Sequence, residues 1–193
     1  KMGVARIAFG IEHGNEKFRA KYLDRKMSNE IITEGIKTVL REEVAVSVNN
    51  MIGFPYETRE LAFDTIRLNK TFGVPEIVDN NSYPFTPFTG TPLRKLCEEL
   101  GYVKETDIVN SVMSQGSLLN MPQFSGEEVD GLTKTFNMYV KFPEDRWDEI
   151  RIAEKNTKEG NKKFNELKDE FIETFWKDGI PLPDFHDLHA SFN

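Results

Sequence analysis

The chain has 193 residues, of which 38% are hydrophobic and 30% charged, so it is long enough to bury one core. Its formal net charge of −7 argues against a nucleic-acid partner, which normally requires a basic patch. No apolar run reaches transmembrane length and no signal peptide opens the chain, so we expect a cytoplasmic protein without a membrane partner. The single cysteine, Cys97, excludes an internal disulfide framework.

The first residue is Lys1, and an apolar strand follows almost at once. We therefore expect a piece of a longer protein. Residues 1–101 alternate between strand and helix patterns. The predicted strands cover residues 4–10, 44–52 and 76–83, and the predicted helices begin near Lys17 and after the capping residues Ser28, Thr58 and Thr91.

This alternation is typical of parallel βαβ units, in which ligands bind at the carboxyl ends of the strands. The loops at those ends are GIEHGN at 10–15, NMIGFPYE at 50–57 and YPFTPFTGT at 83–91. Residues 102–124 are predicted to be an irregular connection. From residue 125 the pattern is charged and helical, beginning with a capping box, and it predicts a helical C-terminal extension with a loose tail over 125–193.

The first loop places an acid and an imidazole between two glycines. Glu12 would accept hydrogen bonds from hydroxyl or ammonium groups, and His13 would donate or accept. A plain turn in which Asn15 caps the next helix explains the same residues equally well. In the tail, His186 and His189 have a spacing that would bind a metal only on an ordered helix.

The second loop follows a β-branched strand. Its main chain would pair with the edge of a heterocycle, with Met51 packed on the face of that ring and Gly53 allowing close approach. The alternative, which the sequence alone favours, is a tight turn with Glu57 near the N-terminal end of the next helix. The third loop, 83–91, would line a pocket mouth or form a rigid crossing held by prolines. Cys97 is predicted to be a buried, inert thiol, because it lies at helical spacing with leucines.

Taken together, these loops resemble segments of radical S-adenosylmethionine (radical SAM) enzymes. GIEHGNEKFR is similar to the segment after their fourth strand, and NNMIGFPYET resembles their fifth-strand motif. YPFTPFTGTPLRKLCEELGY resembles the sixth-strand segment. SLLNMPQFSGEEVDGLTKTFNMYVKFPEDRW resembles the C-terminal extension of the subgroup that often carries a cobalamin-binding domain. The resemblance implies an α/β fold, with strands 4 to 6 of a partial (β/α)6 barrel followed by a mainly helical extension.

The resemblance also assigns roles to residues. It implies that six residues at the strand ends contact the cofactor S-adenosylmethionine, namely Glu12, His13, Asn49, Met51, Gly53 and Tyr83. The first two would face its ribose or methionine part, and the next three would lie along the adenine. The side of an unidentified small-molecule substrate would be lined by Phe85 and Phe88. No residue of the chain is assigned as catalytic or as a metal ligand.

The family's chemistry needs a Cys-x-x-x-Cys-x-x-Cys loop, whose three thiolates hold a [4Fe–4S] cluster that reduces S-adenosylmethionine. Because this chain has one cysteine, we expect the cluster in a missing N-terminal barrel half and no catalysis by the chain alone. Cobalamin would be a further cofactor of the parent enzyme. Two other hypotheses stay open. In the first, the chain is a non-catalytic half barrel that dimerises through open strand edges. In the second, it is an unrelated α/β enzyme with Glu12, His13 and Glu57 in acid–base roles.

Overall fold

The structure is a computed structural model that describes residues 4–72, 78–107 and 116–175. These ranges contain three strands and seven α-helices, and more than half of their residues are helical. The strands are β1 (Arg6–Glu12), β2 (Ala45–Ile52) and β3 (Val78–Pro84). The helices are α1 (Glu16–Tyr22), α2 (Asn29–Arg41), α3 (Arg59–Lys70), α4 (Pro92–Glu99), α5 (Gly126–Lys141), α6 (Trp147–Glu154) and α7 (Lys158–Phe175), with a short 3-10 helix at Glu144–Arg146.

The three strands form one parallel sheet in the order β1-β2-β3. The crossovers between parallel strands need a dozen or more residues, and α1 with α2 and then α3 supply them. The register pairs Gly10 with Asn49 and Met51 with Tyr83, and it shifts by a bulge between Gly10 and Glu12. The carboxyl ends of all three strands therefore lie at one edge of the sheet.

The two faces of β2 differ in burial. Val46, Val48 and Ile52 are fully buried on the face that packs against helices α2 and α3. On the other face Ser47, Asn49 and Met51 alternate with them and stay half-buried. Parallel strands are normally apolar and buried on both faces, so a half-exposed polar face is unusual for this class of sheet.

Several local predictions are confirmed. Four predicted capping residues accept a hydrogen bond from the backbone N–H three residues on, which satisfies a donor that the first helical turn leaves free: Ser28, Thr58, Thr91 and Ser125. Ser125 forms the complete capping box with Glu128. Gly101 follows Leu100, the C-cap of α4, and its φ of 70° is the left-handed conformation that glycine typically adopts just after a helix.

Helix α5 connects the C-terminal helices to the sheet. It packs against β3 and α3, and Ser82 donates a hydrogen bond from Oγ to the carbonyl oxygen of Thr133 at 3.2 Å. Helices α6 and α7 pack against α5 in turn. One cluster of buried side chains consequently extends from Phe18 in α1 to Phe171 in α7, across both parts of the chain.

The predicted fold class is wrong. We expected a partial (β/α) barrel with strands 4 to 6, but the described residues form a three-stranded parallel sheet and are predominantly helical. Strand–helix alternation specifies parallel pairing, and this part of the prediction holds. It does not specify closure or strand number, because both depend on which chain pairs with the outer edges of the sheet.

Gly73, a glycine that the sequence predicts to end the helix capped by Thr58, lies outside the described residues, as do the histidines His186 and His189. None of the helices within the described ranges is long and apolar enough to cross a membrane.

Candidate functional site

A buried hydrogen bond joins the turn after β1 to the turn after β2. The Nδ1 atom of His13 accepts the backbone N–H of Asn15 at 3.0 Å. The proton of a neutral imidazole is then on Nε2, which donates to Oε1 of Glu57 at 3.0 Å. Both side chains are fully buried, so the contact fixes the two turns relative to each other.

The carboxylate of Glu57 also closes its own turn. Its Oε2 accepts the backbone N–H groups of Gly53 at 2.5 Å and of Phe54 at 2.9 Å. Glu57 directly precedes Thr58, the N-cap of α3. The interpretation of this loop as a tight turn with an acid at the helix start is therefore confirmed, and the carboxylate has a structural task there.

Residues Phe54 to Glu57 form a type II turn. The backbone N–H of Glu57 donates to the carbonyl oxygen of Phe54 at 3.0 Å, with Pro55 second and Tyr56 third in the turn. Tyr56 has a φ of 66° at the position where this turn type favours glycine. Tyr56 is 41% exposed, and its ring lies 5.4 Å from the ring of Tyr22, measured between centroids. The turn therefore holds a large aromatic side chain at the surface in an unfavourable backbone conformation.

Glu12 ends β1 in a strained and charged setting. Its φ is 68°, and its carboxylate folds back over Gly10, where an added Cβ would lie 2.7 Å from Oε1. Arg25 lies 3.3 Å from the same oxygen and donates to the carbonyl oxygen of Gly10 at 2.7 Å. Burial raises the pKa of the Glu12 carboxyl, and the positive charge of Arg25 partly offsets that effect. The carboxylate remains partly exposed, so it can accept a hydrogen bond from a ligand.

A buried arginine supports the loop that carries Arg25. The guanidinium of Arg19 donates to the carbonyl oxygens of His13 and Met27, both at 2.5 Å, and to Oδ1 of Asn29 at 2.9 Å. Residues 23–28 are thereby held against the turn that follows β1. Arg19 is 1% exposed, which makes this loop a fixed part of the strand-end surface.

The half-exposed face of the sheet carries a row of mixed side chains toward the carboxyl ends. Asn49 accepts a hydrogen bond from Nδ2 of Asn81 on the neighbouring strand at 3.2 Å. Met51 and Tyr83 lie two residues further along the same two strands, pair with each other and are both half-buried. This row therefore offers an amide, a thioether and a phenol ring side by side.

The structure divides the predicted site residues into two groups. Glu12, Asn49, Met51 and Tyr83 reach the half-exposed strand ends. His13, Gly53 and Phe85 lie in the packed interior. Gly53 has a φ of 93°, and an added Cβ would meet Val129 of α5 at 2.9 Å.

The third loop likewise has a buried and an exposed end. The ring of Phe85 packs 4.7 Å from that of Phe54 between centroids, and only 7% of Phe85 is exposed. Phe88 is 47% exposed and lies at the surface. Of the two predicted substrate contacts, Phe85 thus supports the strand end from within the core, and Phe88 is accessible.

Two residues at the strand ends were not predicted from the sequence, Arg25 and Tyr22. Neither belongs to a loop that directly follows a strand, so the spacing of motifs does not point to them. Arg25 lies at the strand ends because Arg19 fixes the loop that carries it. Tyr22 lies there because its ring packs on that of Phe18, which stacks on His13. Only the folded chain reveals these contacts.

The prediction of a buried thiol is confirmed. Cys97 is fully buried in the core, and burial raises its pKa to about 11. Within residues 4–72, 78–107 and 116–175, no group of three or more His, Cys, Asp or Glu side chains is placed to hold a metal ion. A [4Fe–4S] cluster needs several thiolates, so the one buried, protonated thiol of this chain does not fit that group.

Comparison with known proteins adds no family assignment. No protein-family model matches the chain, and a comparison with curated proteins gives no significant match. Function has therefore to be inferred from the strand-end geometry and from the order of the three loop motifs.

Proposed function

We propose that the chain is part of a radical SAM enzyme and that its strand ends contact the nucleoside part of S-adenosylmethionine. The observation that carries this proposal is the half-exposed row of Asn49, Met51 and Tyr83 beside the Glu12 carboxylate. All four lie at the carboxyl edge of a parallel sheet, where ligands of α/β proteins bind. The three loops that resemble the family's motifs supply these same residues.

Each side chain in the row suits one part of a nucleoside. Met51 offers a polarisable surface to the face of an adenine ring, and the Tyr83 ring offers a flat one. The amide of Asn49 offers the edge of a heterocycle its Nδ2 donors and the second lone pair of Oδ1, whose first lone pair accepts from Asn81. The Glu12 carboxylate accepts hydrogen bonds from ribose hydroxyls or from an ammonium group. Recognition would thus combine packing on the ring with directional contacts at its periphery.

The interior residues would position this row. The His13–Glu57 hydrogen bond fixes the two turns that follow the strands carrying Glu12 and Met51. In this family S-adenosylmethionine supplies a carbon-centred radical after one-electron reduction by the cluster. Since the cluster does not fit this chain, another polypeptide segment would hold it, and the chain alone would bind without reacting. A cobalamin of the parent enzyme would likewise be bound elsewhere.

The direct test is an NMR titration of the ¹⁵N-labelled chain with S-adenosylhomocysteine, which is chemically stable. We expect shift changes concentrated at Glu12, at residues 49–53 and at Tyr83. Met51→Ala should weaken binding about tenfold, equivalent to about 1.4 kcal/mol. Ile152→Ala removes an exposed apolar side chain on α6 and serves as the matched control.

A second ligand tests whether the chain recognises the hydrogen-bonding groups on the edge of the adenine ring. S-inosylhomocysteine presents a carbonyl where adenine presents an amino group, and it should bind more weakly because the donor pattern is reversed. An absence of shifts at millimolar ligand, or shifts confined to α6 and α7, would contradict the proposal.

A further inference from the structure

The ring of Tyr56 is the outer end of a continuous stack of aromatic side chains. The stack begins at His13 in the core and passes through Phe18 and Tyr22, with successive ring centroids 4.3, 4.7 and 5.4 Å apart. Exposure rises along it, from 0% at His13 and 5% at Phe18 to 41% at Tyr56. Among the described residues, Tyr22 provides the one ring contact of Tyr56. The outer part of the Tyr56 ring is therefore available for a further contact.

The fold does not require a tyrosine at position 56. Of the four non-glycine residues with positive φ in the described part of the chain, Tyr56 is the only aromatic one, and this conformation is strained for a bulky residue. The backbone bond from Glu57 to Phe54 and the Glu57 carboxylate close the turn, and neither uses the side chain of residue 56. Glycine would form the same turn without strain. Strained backbone that its surroundings hold in place is typical of ligand-binding sites.

An ammonium group without an acidic partner lies beside the stack. Nζ of Lys21 is 4.7 Å from the centroid of the Tyr22 ring, and it forms no ion pair with a carboxylate of the described residues. The nearest acid in the chain, Asp24, pairs with a different lysine, and Glu12 pairs with Arg25. One positive charge at this end of the stack is therefore left for a ligand.

We propose that Tyr56 and Lys21 form a binding site for a planar aromatic ring that carries an anionic group. The ring would stack on Tyr56, and the anion would reach the Lys21 ammonium, one ring away along the stack. An aromatic side chain held by the core loses little conformational freedom on binding, and aromatic pairs are favourable beyond the area that they bury. The inference concerns a ligand other than the nucleoside, so it goes beyond the proposed function and does not depend on it.

The test is an NMR titration of the ¹⁵N-labelled 193-residue chain with indole-3-acetate, which joins a flat ring to a carboxylate. We expect saturable shift changes at residues 21–22 and 56–57, with a dissociation constant on the order of 1 mM for a ligand of this size. Tyr56→Phe should keep this affinity, and Tyr56→Leu should weaken it about fivefold because the aromatic face is lost. Lys21→Gln should weaken it about threefold. Lys37→Gln, at an exposed lysine of α2, should leave it unchanged.

Two analogues test the charge and the ring separately. Indole-3-acetamide lacks the negative charge and should bind about threefold more weakly than indole-3-acetate. Cyclohexylacetate keeps the carboxylate but lacks the aromatic ring, and it should bind about fivefold more weakly. Equal affinity of either analogue would overturn the proposal, because the site would then not recognise the group that the analogue lacks.

Tyr56→Gly separates binding from folding. It removes the ring and relieves the backbone strain, so the variant should stay folded and lose the shift changes at residues 21–22. Retained affinity in Tyr56→Gly or Tyr56→Leu would overturn the proposal. An absence of saturable shifts, or shifts confined to residues 49–53, would do so as well. Because the nucleoside is expected to shift Glu12, residues 49–53 and Tyr83, either titration can fail without the other.

Discussion

The imidazole of His13 and the carboxylate of Glu57 are 3.0 Å apart, although 44 positions separate them in the chain. Neither side chain is exposed to solvent. Through Gly53 and Phe54, the same carboxylate also holds the backbone of the turn after β2. The strand-end surface is thus built on a polar contact in the interior, and its integrity can be tested by stability measurements alone.

Glu57→Ala should be among the most destabilising single substitutions in the chain. It leaves two backbone N–H groups and the His13 Nε2–H buried without an acceptor, at a cost of about 3–5 kcal/mol. Glu57→Gln keeps one acceptor oxygen and should cost about 1–3 kcal/mol. Urea unfolding at one fixed protein concentration measures both values.

The control is Glu60→Ala in the first turn of α3, three residues after Glu57, where the carboxylate forms an exposed ion pair with Arg67. Exposed pairs contribute about 0–1 kcal/mol, so this variant should unfold close to the wild-type midpoint. Equal destabilisation by Glu60→Ala and Glu57→Ala would refute a special role for the buried carboxylate.

At position 56, the glycine variant should be more stable than the alanine variant, which is the reverse of the usual order of stability. At its φ of 66° a residue with a Cβ is strained by about 1–2 kcal/mol, whereas glycine is not. Tyr56→Gly should therefore be more stable than Tyr56→Ala by about 1 kcal/mol. Both lack the ring and differ only in the backbone.

An exposed helical position provides the opposite case. At Lys37 in α2, the alanine variant should be more stable than the glycine variant by about 1 kcal/mol. Thermal unfolding of the four variants gives the comparison. The same order of alanine and glycine at both positions would show that the turn relaxes to a different type.

Local signals in the sequence predicted local structure. The caps at Ser28 and Ser125 depend on groups three residues apart, so the sequence contains the whole interaction. The parallel direction of the strands likewise follows from helices that lie between them. The number of strands in the sheet and the pairing of its outer strands cannot be inferred from the same pattern. Both depend on contacts between segments that are distant in the sequence.

Long-range contacts explain why the site was only partly predicted. Gly53 was assigned to ligand approach, but it is required by the packing of Val129, which lies in a helix far along the chain. His13 is expected from the sequence to face a ligand, and its partner Glu57 is expected either at the start of a helix or in an acid–base role, not in a buried contact with His13. In each case the residue type was informative, and the contact that uses it arises only on folding.

Gly53→Ala and Gly90→Ala separate backbone strain from steric overlap. The two glycines have nearly equal φ values of 93° and 87°, but an added Cβ at Gly90 meets nothing within 4 Å. Gly90→Ala should cost about 1 kcal/mol from conformation alone. Gly53→Ala adds an overlap with Val129 at 2.9 Å, which raises the cost by about 1–3 kcal/mol.

Combining Gly53→Ala with Val129→Ala identifies the source of that extra cost. The double variant should be less destabilised than the sum of the single variants, because Val129→Ala removes the Cγ atoms that the added Cβ at position 53 overlaps. Urea unfolding of the wild type, the two single variants and the double variant measures the coupling, and strict additivity would show that the overlap is relieved elsewhere.

Cys97 should report on global unfolding. Its thiol is fully buried, and a pKa of about 11 leaves it protonated near neutral pH. Since the thiolate is the reactive form, alkylation by iodoacetamide should be at least about 10³-fold slower in the folded chain than in denaturant. Lys95→Cys combined with Cys97→Ala moves the thiol to an exposed position of α4 and should react rapidly. Fast alkylation of native Cys97 would contradict its burial.

Glu12 should give the folded chain a pH dependence of defined sign. Burial raises its pKa in the folded state, so the folded chain binds this proton more tightly than the unfolded chain. Its contribution is complete below the ordinary glutamate pKa of about 4.3 and falls as the pH rises through the folded-state pKa. The free energy of unfolding of the wild type relative to Glu12→Gln should therefore decrease with rising pH over this range.

Glu166 is the control of opposite sign, because the hydrogen bond from Lys163 lowers its pKa and Glu166→Gln should reverse the slope. Chemical unfolding at a series of pH values tests both, and parallel slopes for the two variants would contradict the burial of Glu12.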